Sequence, residues 1–190
     1  VLLGGEHSVT VGLTLALKEK YPALSVLQLD AHADLRDSYE GSPFNHACAG
    51  RRIQELCPLV QVGIRSMSGE EARFMGSEAG AGVRTFYAAD VTGGIPADEV
   101  VAALSDEVFI TIDLDVLDPS IMPATGTPEP GGLGWYQVTG LLREVARKKK
   151  VVGFDVVELS PMEGNVAPDF LAARLTYKLM GYINEYYDKG

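Results

Sequence analysis

Apolar residues fall into short runs, separated by stretches in which they recur every three to four positions. The runs are Val1 to Leu3, Val26 to Leu29, Val60 to Ile64, Thr85 to Tyr87, Val108 to Ile112 and Val151 to Phe154. Several carry β-branched residues and are apolar on both faces, which predicts strands of a buried parallel sheet. Between them the spacing predicts helices. Val9, Leu13 and Leu17 share one face, and Tyr21-Pro22 stops that helix. Ile53 and Leu56 mark a second helix, and Ala97 to Leu104 a further one. Trp135, Val138, Leu142 and Val145 mark another, ending in Lys148-Lys149-Lys150, where cations suit a helix C-terminus. Pro168-Asp169 opens a last helix through Leu171, Leu175, Leu179 and Ile183. Glycine and proline gather in two loops, Asp118 to Gly134 and Ser160 to Pro168.

Alternating β and α elements predict an α/β fold of three layers, α-β-α, around a mostly parallel sheet. No repeat or inter-domain linker divides the chain, so a single domain over residues 1–190 is expected. Ligands of such sheets bind outside the carboxyl ends of the strands. Asp30, Asp113 and Asp155 each close an apolar run, and Gly4-Gly5-Glu6-His7 follows the first. Four strands are therefore expected to deliver polar residues to one edge of the sheet.

Hydrophobic residues make up 46% of the 190, enough to fill one core. The formal net charge of -10 argues against nucleic acid as a partner and is compatible with a small cationic substrate. No apolar run is long enough to span a bilayer, and neither a signal peptide nor membrane association is expected. Cys48 and Cys57 lack CxxC spacing, which fits free thiols in a reducing, cytoplasmic setting. Cys48 lies two residues from His46, which leaves a thiolate nucleophile open beside the simpler expectation of a small buried thiol. The chain opens at Val1, inside an apolar run, and is expected to be a fragment lacking the N-terminal part of a longer protein.

The chemistry concentrates around three histidines. His7 follows Gly4-Gly5-Glu6, His32 lies within Asp30-Ala31-His32-Ala33-Asp34, and His46 sits on the loop beyond. Asp113-Leu114-Asp115 closes a later run. In extended chain alternate residues point the same way, so Asp30, His32 and Asp34 can converge on one point, and Asp113 and Asp115 repeat the device. Either motif alone could supply caps and turns. Together with His7 they give six candidate metal ligands, four carboxylates and two imidazoles. Two divalent cations would balance the four carboxylates, which would otherwise repel one another. Carboxylate with imidazole suits Zn, Mn or Fe rather than Ca, and the acidic excess leans toward Mn. Such a pair makes a nucleophile from water.

These residues resemble the ureohydrolase family, the arginases and agmatinases that hydrolyse guanidino compounds to urea. The resemblance covers nearly the whole chain. It rests on Gly4-Gly5-Glu6-His7-Ser8, Asp30 to Asp34, Asp113-Leu114-Asp115-Val116-Leu117-Asp118-Pro119, and Thr125-Gly126-Thr127-Pro128 with Gly131-Gly132. It implies an arginase-like fold and two Mn²⁺ per chain. His7 and Asp34 would hold one ion, His32 and Asp115 the other, and Asp30 and Asp113 would bridge both. It also implies that Asp34 orients the attacking water, that His46 shuttles a proton to the leaving amine, and that Glu158 pairs with the substrate guanidinium. His46 could instead cap the following helix, and Glu158 could be a solvated loop acid. Asp155 fits a role behind the ligands better than one among them.

Asp34-Leu35-Arg36-Asp37, Tyr39 to His46 and Thr127-Pro128-Glu129-Pro130 are most like agmatinase, which implies agmatine as substrate, putrescine and urea as products, and a place in polyamine biosynthesis. Arginine and guanidino acids remain alternative substrates. Glu129 could meet a substrate cation or be an exposed turn acid. The family also implies a homo-oligomer, trimer or hexamer. Two other classes stay open: a non-catalytic relative, and a deacetylase-type hydrolase with one Zn.

Overall fold

The computed structural model describes residues 1–187; the last three positions of the expected domain lie outside the described residues. Six strands form one parallel sheet: β1 Leu2–Leu3, β2 Ser25–Leu29, β3 Leu59–Ile64, β4 Val83–Tyr87, β5 Glu107–Asp113 and β6 Lys150–Val157, in the order β1-β6-β5-β2-β3-β4. Each falls on one of the expected apolar runs, β1 on its last two residues. β2 and β3 are buried along their whole length, as strands covered on both faces must be.

Helices α1 (Val9–Lys20), α2 (Ala49–Gln54) and α3 (Gly69–Met75) cover one face, where Val26, Leu59, Ile64 and Phe109 meet Leu13, Leu17, Ile53 and Phe74. Helices α4 (Ala97–Ala103), α5 (Trp135–Lys148) and α6 (Ala167–Tyr186) cover the other, where Leu27, Val60, Ile110 and Phe154 meet Val100, Val138, Leu142, Leu175 and Leu179. The three layers match the α/β expectation. From β2 the chain runs outward through β3 and β4, then returns to β5 on the opposite side of β2. The two directions of winding part between β2 and β5. That crevice is where such folds bind ligands, and here it lies between Asp30 and Asp113.

Three details differ from the sequence pattern. Thr10 and Thr14, not Val9, are the buried residues of α1, because Thr10 serves a polar site described below. β6 does not end before Asp155 but continues to Val157, with Asp155 wholly buried and paired in register with Thr111. α3 is absent from the apolar pattern. Its signal is a capping box, in which Ser68 Oγ accepts from Glu71 N–H and the Glu71 carboxylate accepts from Ser68 N–H.

One row of the sheet is polar on five of its six strands. Asp155, Thr111, Gln28, Gln61 and Thr85 stand side by side on β6, β5, β2, β3 and β4. On β2 and β5 the row lies two residues before the terminal aspartates, so it faces the same way as Asp30 and Asp113, one layer beneath them. Beside the site, the β3–β4 pairing shifts register between Val62 and Ile64, with Gly63 between them at φ +98°. A Cβ at Gly63 would lie 2.7 Å from Val116 Cγ2 and 3.1 Å from the Asp30 carbonyl oxygen. Gly63→Ala is expected to lower stability by about 1–3 kcal/mol, measured by urea unfolding; a loss under about 0.5 kcal/mol would show that the bulge relaxes freely.

Candidate metal centre

Six side chains from three strand ends converge at the crevice. His7 is brought there by the turn after β1, Asp30, His32 and Asp34 by the segment after β2, and Asp113 and Asp115 by the end of β5. His7 Nδ1 lies 3.2 Å from Asp30 Oδ2, 3.1 Å from Asp34 Oδ2 and 3.4 Å from Asp113 Oδ2. His32 Nδ1 lies 2.9 Å from Asp115 Oδ2 and 3.8 Å from Asp30 Oδ1. Ligand atoms gather into two groups that share one residue: His7, Asp30 and Asp34, and Asp30, His32 and Asp115. Five of the six side chains are buried, and His32 is a quarter exposed.

Backbone geometry aims these groups. Asp34 adopts φ +53°, a conformation costly for a residue with a Cβ and found chiefly where function demands it. Main-chain N–H groups hold the carboxylates by one oxygen each: His32 N–H donates to Asp30 Oδ1 (2.6 Å), Asp115 N–H to Asp113 Oδ1 (2.9 Å) and Ala31 N–H to Asp115 Oδ1 (3.0 Å). Arg65 fastens the loop beneath. Its Nη2 donates to the Asp115 carbonyl (2.6 Å) and, with Nε, to carbonyls of Glu129 and Pro130. Neither Arg65 nor the polar row was found from the sequence. An isolated polar residue inside each apolar strand was the available signal.

His7 carries the test of whether cations fit. Its Nε2 is 2.9 Å from Thr111 Oγ1, and Thr10 Oγ1 donates to Asp155 Oδ2 at 2.8 Å. Asp155 therefore stands behind the cluster rather than in it. With Nε2–H given to Thr111, Nδ1 presents a lone pair to three carboxylate oxygens. That Nδ1 is buried and has no hydrogen-bond partner. A lone pair facing carboxylates is repulsive unless a proton or a cation lies between, and protonation is the metal-free solution. Burial opposes charge on His7, yet the Asp113, Asp30 and Asp34 carboxylates, which can accept only from the protonated ring, outweigh it, and the imidazole is raised well above its usual range. Burial and the charge of Asp115 raise Asp30, and burial, Asp115 and Asp30 raise Asp113 well above the carboxylate range. Burial and the Asp30 charge push Asp34 up to about 6. His32 rises to about 9, its burial outweighed by Asp115. The donor set of four carboxylates and two imidazoles suits a pair of divalent cations.

His46 and Glu158 line the pocket above, of about 430 Å³, together with Arg36, Tyr39, Met67 and Glu71. His46 opens a short turn whose cap is Asn45, which accepts from Ala47 N–H, so the His46 ring is free of capping duty; it stands edge-on to Tyr39 at 5.8 Å. Glu158 is not a solvated loop acid. It is half-buried at φ +65°, and its Oε1 accepts from His7 N–H at 2.7 Å. Burial pushes its carboxyl upward. Glu129 approaches His32 Nε2 at 3.9 Å, outside that pocket lining. Cys48 is a buried thiol raised by burial, with Sγ directed to the Ser42 carbonyl, and Cys57 is raised to about 11. Neither has thiolate character. No helix among the described residues is long and apolar enough to cross a membrane.

Fold and site together define a doubly wound α/β protein with a buried carboxylate–imidazole centre at its switch point. A model of the arginase family matches residues 1–181. The N(1)-aminopropylagmatine ureohydrolase of Thermus thermophilus is 46% identical over 183 residues, covering 95% of this chain and 61% of that protein. The agmatinase of Pyrococcus horikoshii is 41% identical over 182 residues, covering 95% and 62%. The crystal structure of the agmatine ureohydrolase of Thermoplasma volcanium matches with a TM-score of 0.86 at 37% identity, over 98% of this chain and 63% of that one. The chain belongs to the arginase family, and it spans about three fifths of the length of these relatives.

The protonation pattern predicts how the metal-free protein responds to pH. Asp34 has a folded pKa near 6 against 3.8 for the free group, so folding favours its protonated form and that stabilisation fades as pH rises from about 4 through 6. His32, at about 9 against 6.5, contributes stability that is complete below about 6.5 and lost through 9. Both act in one direction. The melting temperature in chelator is expected to fall between pH 5 and pH 9; a rise across that window would contradict the assigned environment.

Proposed function

We propose that the chain is the catalytic region of a binuclear metal amidinohydrolase acting on a linear guanidino amine of the agmatine class, with urea as one product. The observation that carries this reading is the pair of donor groups sharing Asp30, open to a pocket that also presents Glu158 and His46. Family membership and the names of the relatives support it. Those names cover both agmatine and its N(1)-aminopropyl derivative, and the net charge of -10 favours a cationic substrate of either length. Manganese is the proposed metal, two ions per chain, on the acidic donor set.

His7, Asp30, Asp34, His32, Asp113 and Asp115 would hold the ions. Once bound, the ions supply a nucleophile by lowering the pKa of water toward neutrality. The protein's own groups do the rest. The substrate guanidinium, a resonance-stabilised and poor electrophile, is held by the Glu158 carboxylate through charge-assisted hydrogen bonds. Glu158 is pre-aimed, because His7 N–H fixes one of its oxygens and leaves the other for substrate. Asp34 would accept a hydrogen bond from the attacking water and take its proton. Attack yields a tetrahedral carbon, and the leaving amine departs only when protonated. His46, on the pocket wall, would deliver that proton.

Glu158→Gln keeps the acceptor for His7 N–H and removes the charge. It is expected to lower kcat/KM about 10–100-fold, as one charge-assisted bond contributes roughly 1.5–3 kcal/mol. His46→Ala is expected to lower kcat by about 10²–10⁴-fold with metal content unchanged; loss of metal would make His46 a ligand instead. Urea release from agmatine, N(1)-aminopropylagmatine, arginine and guanidinobutyrate tests the substrate class directly. The amines should be turned over in preference to the two carboxylates, and preferential release from arginine or guanidinobutyrate would refute the assignment.

A further inference from the structure

The buried polar row of the sheet has a half that no step above uses. Gln28 and Gln61 are both fully buried, each flanked by apolar residues on its strand. Gln28 Nε2 donates to Asp30 Oδ2 at 2.7 Å. Gln61 Nε2 donates to Gln28 Oε1 at 2.9 Å and to the Ala33 carbonyl at 2.7 Å, and Thr85 Oγ1 donates to Gln61 Oε1 at 3.0 Å. Two buried primary amides in mid-sheet are costly unless every contact is made.

Their orientation follows from one atom. The Ala33 carbonyl oxygen only accepts, so the NH₂ end of Gln61 must face it. The second hydrogen of that NH₂ group then meets Gln28, which must turn its oxygen to Gln61 and its own NH₂ to Asp30. No alternative is open to Gln28 from the helix side. A Cβ at Gly50 of α2 would lie 2.7 Å from the Ala33 carbonyl oxygen and 3.1 Å from Gln28 Oε1, so the helix is pressed onto the pair. Asp30 is the residue shared by the two donor groups. His32 N–H occupies one lone pair of Oδ1 and Gln28 one lone pair of Oδ2. One lone pair on each oxygen is left, and the two oxygens face different histidines: Oδ2 lies 3.2 Å from His7 Nδ1 and Oδ1 3.8 Å from His32 Nδ1.

We propose that Gln28 and Gln61 form a positioning relay, anchored on the Ala33 carbonyl, that fixes the rotation of Asp30 so that each of its oxygens faces a different cation. Neither amide touches substrate or the reacting atoms. The relay rests on the binuclear reading of the site. Its distinctive consequence is that Gln61, which does not touch Asp30, controls cation binding. Thr85 does not, because Ala33 alone already sets the direction of Gln61.

The test is Mn²⁺ titration by calorimetry of chelator-stripped protein, for the parent and for Gln28→Met, Gln28→Asn, Gln61→Met and Thr85→Val. Melting in chelator identifies the variants that fold, and Gln28→Asn keeps a polar group for the case in which methionine does not. Gln28 and Gln61 variants are expected to bind Mn²⁺ about 10–100-fold more weakly, the usual effect of removing a partner behind a ligand. Thr85→Val should stay within about twofold, as the logic of direction requires. At saturating Mn²⁺ the folded variants should lose kcat with KM unchanged, since the pocket walls are intact. A folded Gln28 variant with the parent's Mn²⁺ affinity overturns the relay. So does a Gln61→Met effect no larger than that of Thr85→Val. A parent that takes up no Mn²⁺ overturns the binuclear reading and the relay with it, which separates the two failures.

Discussion

Four carboxylates buried within a few ångströms of one another are the constraint around which this chain is arranged. Water is excluded from Asp30, Asp113 and Asp115 almost completely, so burial, and with it a mutual repulsion that is screened little, disfavours charge on the cluster. Without cations the cluster takes up protons, which is why His7, His32, Asp30, Asp34 and Asp113 all shift upward together. The sheet tolerates this because the cluster sits at its carboxyl edge, on the last residue of β5 and the segments that follow β2 and β5. The apolar layers on both faces stay intact directly below.

Support for the cluster is layered. Main-chain N–H groups fix one oxygen of each of three aspartates. Beneath them the polar row divides into two arms, with Thr10, Thr111 and Asp155 behind His7 and Gln28 and Gln61 behind Asp30. The row spans five strands in register, so a rigid sheet, not loops, sets the positions. Arg65 and the Glu71 carboxylate, which accepts from Leu35 N–H, tie the flanking loops to this frame. Binding geometry of this kind is precise because it is carried on hydrogen-bonded strands.

The sheet was legible because strands covered on both faces must be apolar runs, and all six runs became strands. The convergence of these side chains was legible because the alternation of Asp30, His32 and Asp34 and of Asp113 and Asp115 is itself geometry. The misses lie where polar residues were recruited into the interior. Thr10 displaces Val9 from the buried face of α1 because Asp155 needs its hydroxyl. β6 runs through Asp155 because that carboxylate is satisfied inside the sheet. α3 escaped because GEEARFM has little apolar period, its start being marked instead by Ser68 and Glu71. The positive φ of Asp34 and Glu158 could not be read from residue type, since both lie where the site, not local preference, dictates the backbone.

The most direct measurement is the number of divalent ions retained per chain after Mn²⁺ loading and gel filtration, by elemental analysis of the parent and of Asp30→Asn. Two ions are expected in the parent, with both occupancies falling in the variant because Asp30 belongs to both donor groups. One ion in the parent, or full retention without the Asp30 charge, would contradict a shared carboxylate at the centre of the fold.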